Sequence, residues 1–546
     1  MNTKLTRYAA MAAACTLMMS AFCSCGEGAT SNYNGGTYKK DEHRNNNSIV
    51  HEDINEATVC APEYDCDGGY YERPTQASRN ESYKEYIETG FKDPKAEPLS
   101  TFSADVDTAS YSNIRRLLED GTIVPEDAVR AEEFINYFDY DYPDPEEGRV
   151  FGDYVELADC PWNPANKLMM IGIQGKRMPE KETPPSNIVF LIDSSGSMAS
   201  YDKLPLVQTA FSMLAEKLTE KDRISIVTYA GHSDTILEGA SGKDKDEILN
   251  ALYSITASGG TNGEGGIQQA YKLAERYFIE GGNNRVILAT DGDLNIGASS
   301  ESELVKLIES KRDKGIYLSV LGFGTGNYKD DKLEAIADNG NGNYSYIDSV
   351  DEAHRVLVQE MAGTLYTIAK DVKIQVEFNP SQIKSYRLIG YDNRLMNAED
   401  FYDETKDAGE VGAGHSVTAL YEVELAQTGD TYRGVQLEFS SEHTAEPPVD
   451  NGRSELCKLS VTYKPVSEDG DIYESQLFGM EKYNSEPSES IKLASAAAEF
   501  AMLLRNSEFK GSSSYDYVAR TAKSLAFDDK TEELISLARL AEKLYN

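Results

Sequence analysis

Asp193-Ser194-Ser195-Gly196-Ser197 places one carboxylate and the hydroxyls of Ser195 and Ser197 within five residues. Alone, a D-x-S-x-S run signals little, because Asp and Ser are common in turns. Gly259-Gly260-Thr261 offers a further hydroxyl, and Ala289-Thr290-Asp291-Gly292 a second carboxylate. Asp193, Ser195, Ser197, Thr261 and Asp291 together make a set of hard oxygen donors that suits Mg²⁺ first, and also Mn²⁺ or Ca²⁺. Two carboxylates match one divalent charge, and hydroxyls leave the ion electrophilic. With some of the five acting through water, an octahedral ion keeps one position open for an acidic group from a partner. Each piece also has a plainer reading. Ser195 and Ser197 can cap a following helix, and Asp291 can open an Asx-turn with Gly292. The cation is favoured because all three pieces fall at the same edge of one predicted sheet.

That sheet is read from hydrophobic patterning. Ile188 to Ile192 is a continuous apolar run, the mark of a parallel strand buried on both faces. Leu204, Val207, Phe211, Leu214 and Leu218 recur at three and four, an amphipathic helix. Strands are expected at 224–227, 285–289, 316–321 and 344–347, and helices at 248–255, 266–278, 304–311 and 332–337. Strands alternating with helices specify an open α/β sheet, in which ligands bind beyond the carboxyl ends of the strands.

The five positions resemble the metal-ion-dependent adhesion site of the von Willebrand factor type A (VWA) fold, a doubly wound, mostly parallel, Rossmann-like sheet. The resemblance implies that Ser195, Ser197 and Thr261 bind the metal directly, with Asp193 and Asp291 often acting through water. By motif it covers residues 187–365. The flanks are similar to a narrower group, the YfbK-like bacterial envelope proteins. Thr101–Tyr111, Asn136–Tyr140, Ala289–Asp293, Ile389–Tyr391 and Gly412–Glu422 carry that likeness, which extends to nearly everything after residue 95. The group implies architecture far more than it implies a substrate.

Beyond the sheet, residues 100–180 read as a family-specific helical lead-in followed by a β segment. Alternation of Val372, Ile374, Val376 and Phe378 with polar residues, repeated at 435–439 and 459–463, predicts an antiparallel β-sandwich over 370–465. Residues 485–546 are expected to be helical. The start of the chain reads as an address: Lys4 and Arg7 precede an uncharged stretch from Ala9 to Phe22, too short to span a bilayer. Phe22-Cys23-Ser24-Cys25 resembles a lipobox, so 1–24 is expected to be a lipoprotein signal peptide, Cys25 the lipidated residue and 25–99 a flexible tether. The expected location is the bacterial cell envelope, lipid-anchored at the outer membrane. Of the remaining cysteines, Cys60 and Cys66 form the local pair that an oxidising compartment could close.

The 546 residues allow three or four domains, and 92 acids against 53 bases give a net charge of −39. Nucleic acid is excluded as a main partner, because a phosphate backbone demands a basic patch. A zinc ribbon is excluded by the lack of any C-x-x-C. Gly322-Phe-Gly324-Thr-Gly326 departs from the dinucleotide spacing and sits on a late strand, so it reads as a glycine turn near the metal edge. Asp291-Gly-Asp293-Leu-Asn295 starts like an EF-hand loop but has Ile296 where the glycine is required. Asp105 and Asp107 make a short acidic pair able to hold a second cation or simply to be solvated. No nucleophile-base motif appears, so the reading is a binding module rather than an enzyme. Its rim is expected at Tyr201, His232, Gly263 and Glu264, and its partner is a protein offering an acidic residue. The alternatives are a metal-dependent hydrolase or an accessory subunit of an envelope enzyme, and a structural envelope protein with a vestigial site.

Overall fold

The computed structural model describes residues 75–76, 81–292, 301–326, 328–426, 454–466, 470–526 and 528–545. The signal peptide expected at 1–24, Cys25, Cys60, Cys66, Asp293 and the strand expected at 435–439 lie outside the described residues. The chain begins with β1 (Leu99–Ser103), α1 (Ala109–Glu119) and α2 (Ala131–Asn136), then the hairpin β2 (Phe151–Asp159) and β3 (Lys167–Gly175).

The α/β unit follows: β4 (Ser186–Asp193), α3 (Leu204–Lys217), β5 (Arg223–Tyr229), β6 (Ser233–Ser241), α4 (Lys245–Tyr253), α5 (Gly263–Arg276), β7 (Asn283–Thr290), α6 (Glu301–Arg312), β8 (Ile316–Phe323), α7 (Asp330–Asn339) and β9 (Tyr344–Ile347). Its sheet runs β9-β8-β7-β4-β5-β6, parallel throughout except for β6. Alternate β4 residues serve opposite layers. Ile188, Phe190 and Ile192 meet α3 and α4, with Phe190 stacked on Phe211 at 4.0 Å, whereas Val189 and Leu191 meet α5 and α6. Every β4 residue is buried, so covering both faces stabilises the strand by roughly 1.5–3 kcal/mol for each large apolar side chain. The sequence pattern did not single out β6. Leu237 is its one buried residue, because an edge strand needs little periodic hydrophobicity.

After β9 come β10 (Thr367–Phe378), β11 (Ile383–Ile389), β12 (Gly409–Gly412), β13 (Ser416–Leu425), β14 (Glu455–Pro465) and β15 (Ile472–Gly479), then α8 (Glu489–Leu504), α9 (Tyr515–Lys523) and α10 (Asp529–Tyr545). Two antiparallel sheets face one core. One orders Leu395–Met396, β1, β10, β14 and β15 with β12 also on β10; the other orders β11, β13, β3 and β2. Phe102, Phe151 and Ile171 from before the α/β unit share that core with Ile374, Val376, Tyr421 and Val461 from after it.

This regroups the segments expected from the sequence. The β part of 100–180 is half of the sandwich rather than a separate lead-in, because β3 pairs with β13 and β1 with β10. Likewise, α1 and α2 share one apolar core with α8, α9 and α10, where the Phe134 and Phe500 rings meet at 5.9 Å. The α/β unit is therefore an insertion between β3 and β10. A second correction concerns the tether assigned to 25–99. Residues 81–98 are bound to the body: Lys92 pairs with Tyr386, the Thr89 hydroxyl donates to Asp392 at 2.9 Å, and Arg505 donates to the Tyr86 carbonyl at 2.6 Å. Their polar composition bonds to backbone and charged partners instead of building a core of their own.

Candidate functional site

Strand order creates the site. β4 has β5, its successor in the alternating pattern, on one side and β7 on the other, so the strand order reverses at β4 and a crevice opens beyond the carboxyl ends of β4 and β7. Register then sets the depth. Ile192 lies opposite Ala289, which puts Asp193 level with Thr290 and Asp291 one residue beyond. Neighbouring strands are about 4.8 Å apart, so the two aspartates emerge side by side.

The turn after β4 is held from several sides. Ser194 donates its N–H to the Tyr229 carbonyl at 2.9 Å, and Asp193 Oδ1 accepts the Ser195 N–H at 2.8 Å. The hydroxyls of Ser195 and Ser197 are 2.9 Å apart, and Thr290 Oγ1 donates to Asp193 Oδ2 at 3.4 Å. Two backbone bonds bring in the loop of Thr261: Gly196 N to the Gly259 carbonyl at 3.1 Å and Ser258 N to the Ser194 carbonyl at 2.8 Å. Asn262 then starts α5 by accepting the Gly265 N–H. Gly292, at φ +98°, turns the chain away immediately after Asp291, a conformation that suits glycine. All three predicted segments thus meet at one sheet edge.

Electrostatics match a site for a cation. Asp193 is fully buried, and burial pushes its carboxyl up to about 6. The two hydrogen-bonding contributions of Ser195 pull it down, and the negative charge of Asp291 pushes it up. An oxygen-only donor set whose buried carboxylate is reluctant to ionise fits a divalent cation, which would favour the charged form. A cation also stands at the site already: Lys203, 8% exposed, places Nζ 2.9 Å from Asp291 Oδ2. Sequence reasoning missed it. The available signal was position, since Lys203 is the N-cap of α3, where the helix dipole disfavours a positive charge.

The rim residues fall differently. The Ala230–Gly231 turn lies against Gly259, so the loop bearing His232 abuts the loop bearing Thr261. His232 itself is exposed and paired with Asp234 at 2.9 Å. Tyr201 is 87% exposed and lines, with Asp202, Gly324 and Thr325, a polar cleft of about 850 Å³. Gly263 is buried as the first residue of α5, and Glu264 accepts from Gln268. Neither Asp105 nor Asp107 is left open for a second cation. Arg394 takes Asp105 at 3.0 Å and Asp107 at 3.3 Å, and Asp107 also accepts the Tyr344 N–H. Asp371, Asp407 and Glu410 converge elsewhere within 4.8 Å, with Lys464 on Asp371 and Arg312 on Asp407.

Comparison with known proteins agrees with this architecture. The von Willebrand factor type A domain family matches residues 187–360, a von Willebrand factor family matches 77–170, and the family described as "Uncharacterized protein YfbK, C-terminal" matches 363–544. YfbK of Escherichia coli (strain K12) is 39% identical over 471 residues, covering 84% of this chain and 81% of that protein. Human inter-alpha-trypsin inhibitor heavy chain H3 is 30% identical over 193 residues, 34% of this chain and 22% of its own length. Among solved structures, a von Willebrand factor type A protein from Catenulispora acidiphila aligns over 74% of this chain and 91% of its own, at 13% identity and a TM-score of 0.42. The chain belongs to the YfbK family of von Willebrand factor type A domain proteins.

Proposed function

We propose that this protein is an adhesion or scaffolding module of the bacterial envelope, anchored through Cys25, that binds a divalent cation and through it an acidic residue of a protein partner. The observation that carries the reading is that the segments bearing Asp193, Ser195, Ser197, Thr261 and Asp291 meet at one sheet edge, at the point where the strand order reverses. Asp193 and Asp291 supply the charge, and the paired hydroxyls of Ser195 and Ser197 with Thr261 supply neutral oxygens. A divalent cation held there provides an electropositive centre for an incoming carboxylate, with Mg²⁺ the first choice for these donors. The His232 loop, which abuts the loop bearing Thr261, and exposed Tyr201, a few residues past Ser197, are the surfaces that this reading gives to the rest of the partner.

Cross-linking capture from an envelope extract, with Mg²⁺ or with EDTA, tests this. A partner that is lost both in EDTA and with Asp193→Ala supports the reading. The same partners recovered in every arm contradict it, and metal-dependent turnover of an envelope substrate would turn the assignment to a hydrolase.

A further inference from the structure

Lys203 stands outside the five predicted positions, yet the fold goes to some length to deliver it. Its backbone caps α3 at a place where a positive charge opposes the helix dipole. Its stem then crosses the end of β8, where Gly324 has φ +72°, and a Cβ at Gly324 would lie 2.4 Å from both Cγ and Cε of Lys203. The glycine turn after β8 is thus a slot for the lysine stem, a role the sequence left unassigned. The ammonium ends 2.9 Å from Asp291 Oδ2, and that carboxylate is fully buried. A solvent-facing lysine would need none of this.

We propose that Lys203 sets the charge of the site: its ammonium compensates Asp291, weakens the hold of the two carboxylates on a divalent cation, and leaves the loaded site positive toward an incoming carboxylate. This inference rests on reading the site as one for a divalent cation. Asp193, Asp291 and Lys203 together carry one net negative charge. A divalent cation converts that to one net positive charge, and a partner carboxylate then brings the site to neutrality. Without the ammonium, the loaded site would already be neutral before any partner arrived, and the attraction for an acid would rest on the ion's open position alone. The same ammonium repels the metal, an effect that burial keeps strong because little water or salt intervenes. Cation affinity is given up in exchange for affinity toward an anion.

Calorimetric titration of the full-length chain with Mn²⁺ tests this, comparing wild type with Lys203→Met, Lys203→Arg and Asp193→Ala, with and without sodium acetate as the carboxylate probe. Met preserves the buried stem without its charge. Lys203→Met is expected to bind Mn²⁺ at least tenfold more tightly than wild type, about 1.4 kcal/mol. Acetate is expected to tighten Mn²⁺ binding in wild type and in Lys203→Arg, and to do so at least severalfold less in Lys203→Met. Thermal melts in EDTA establish that each variant is folded, and Lys203→Gln, which keeps a donor to Asp291, replaces Met if that variant is not. Unchanged Mn²⁺ affinity in Lys203→Met, with wild type binding normally, overturns the inference alone, since a merely structural lysine would change the melt and not the affinity. Lack of saturable binding in both wild type and Lys203→Met overturns the cation reading as well.

Discussion

Asp193 is a fully buried carboxylate whose ionisation burial opposes, holding its carboxyl near 6. A carboxyl raised in the folded state binds its proton more tightly there than in the unfolded chain. Stability therefore falls as pH climbs from the unfolded value toward 6, and the full cost is present above that. Asp193→Asn removes the charge and keeps the shape. In EDTA at pH 8 the variant is expected to be more stable than wild type, by up to about 3 kcal/mol, in urea denaturation. Added Mg²⁺ is expected to stabilise wild type and to leave Asp193→Asn unmoved. Arg394 gives the opposite case. It pairs with buried Asp105 and Asp107 at 3.0 and 3.3 Å and with exposed Asp338 at 3.0 Å, so Arg394→Met strands the two buried carboxylates without their counter-charge. The expected loss in the same measurement is about 3–5 kcal/mol. That the three segments bearing Asp193, Ser195, Ser197, Thr261 and Asp291 meet at one sheet edge was legible because residue type and loop position are both written in the chain. Lys203 was not, because its place at the start of α3 hints at an odd charge but its partner is reached only by folding back over Gly324.

Elements show the same division. β4 was legible from its five-residue apolar run because both of its faces are covered, whereas β6, with one buried side chain, carried almost no signal. Register between β4 and β7 turns two distant Asp residues into neighbours, and only parallel pairing of two apolar runs is needed to produce it. Among the helices, α8 bears Glu499 at 1% exposure within an alanine-rich face, and burial pushes its carboxyl up to about 8. The sign is again that of a raised acid. Protonated Glu499 favours the fold at low pH, and that contribution declines as pH rises from the ordinary glutamate value through 8. Glu499→Gln is expected to raise the midpoint of thermal unfolding clearly at pH 8.5 and hardly at pH 5, as followed by circular dichroism.

At the scale of the molecule, the α/β unit interrupts a sandwich whose halves lie on either side of it in the chain, and the first and last helices close into one layer. Periodicity gave the strongly apolar strands and helices their type, but pairing between β3 and β13 joins residues some 250 positions apart and leaves no local trace. The segments expected at 100–180, 370–465 and 485–546 therefore share one sandwich and one helical layer instead of standing apart. The grouping has a consequence for stability. Phe500 fills the helical layer against Phe134 at 5.9 Å, so Phe500→Ala is expected to cost about 3–5 kcal/mol in urea denaturation and to loosen α1 and α2 together with α8. The net charge of −39 is likewise more than solvated surface. Part of it is spent in buried pairs that join the layers, such as Arg130 with Asp330 at 2.7 Å and Arg115 with Asp348 at 2.5 Å.

Two of those many acids carry the central claim, that Asp193 and Asp291 with Ser195, Ser197 and Thr261 hold a divalent cation. Thermal unfolding of the full-length chain across a titration of Mg²⁺, Mn²⁺ and Ca²⁺, beside Asp193→Ala and Thr261→Ala, tests it most directly. A saturable rise in wild type, worth about 2.7 kcal/mol at a hundredfold excess over Kd, is expected to vanish in Asp193→Ala and to require more metal in Thr261→Ala. Equal shifts in wild type and both variants, or no shift in any of them, would contradict it.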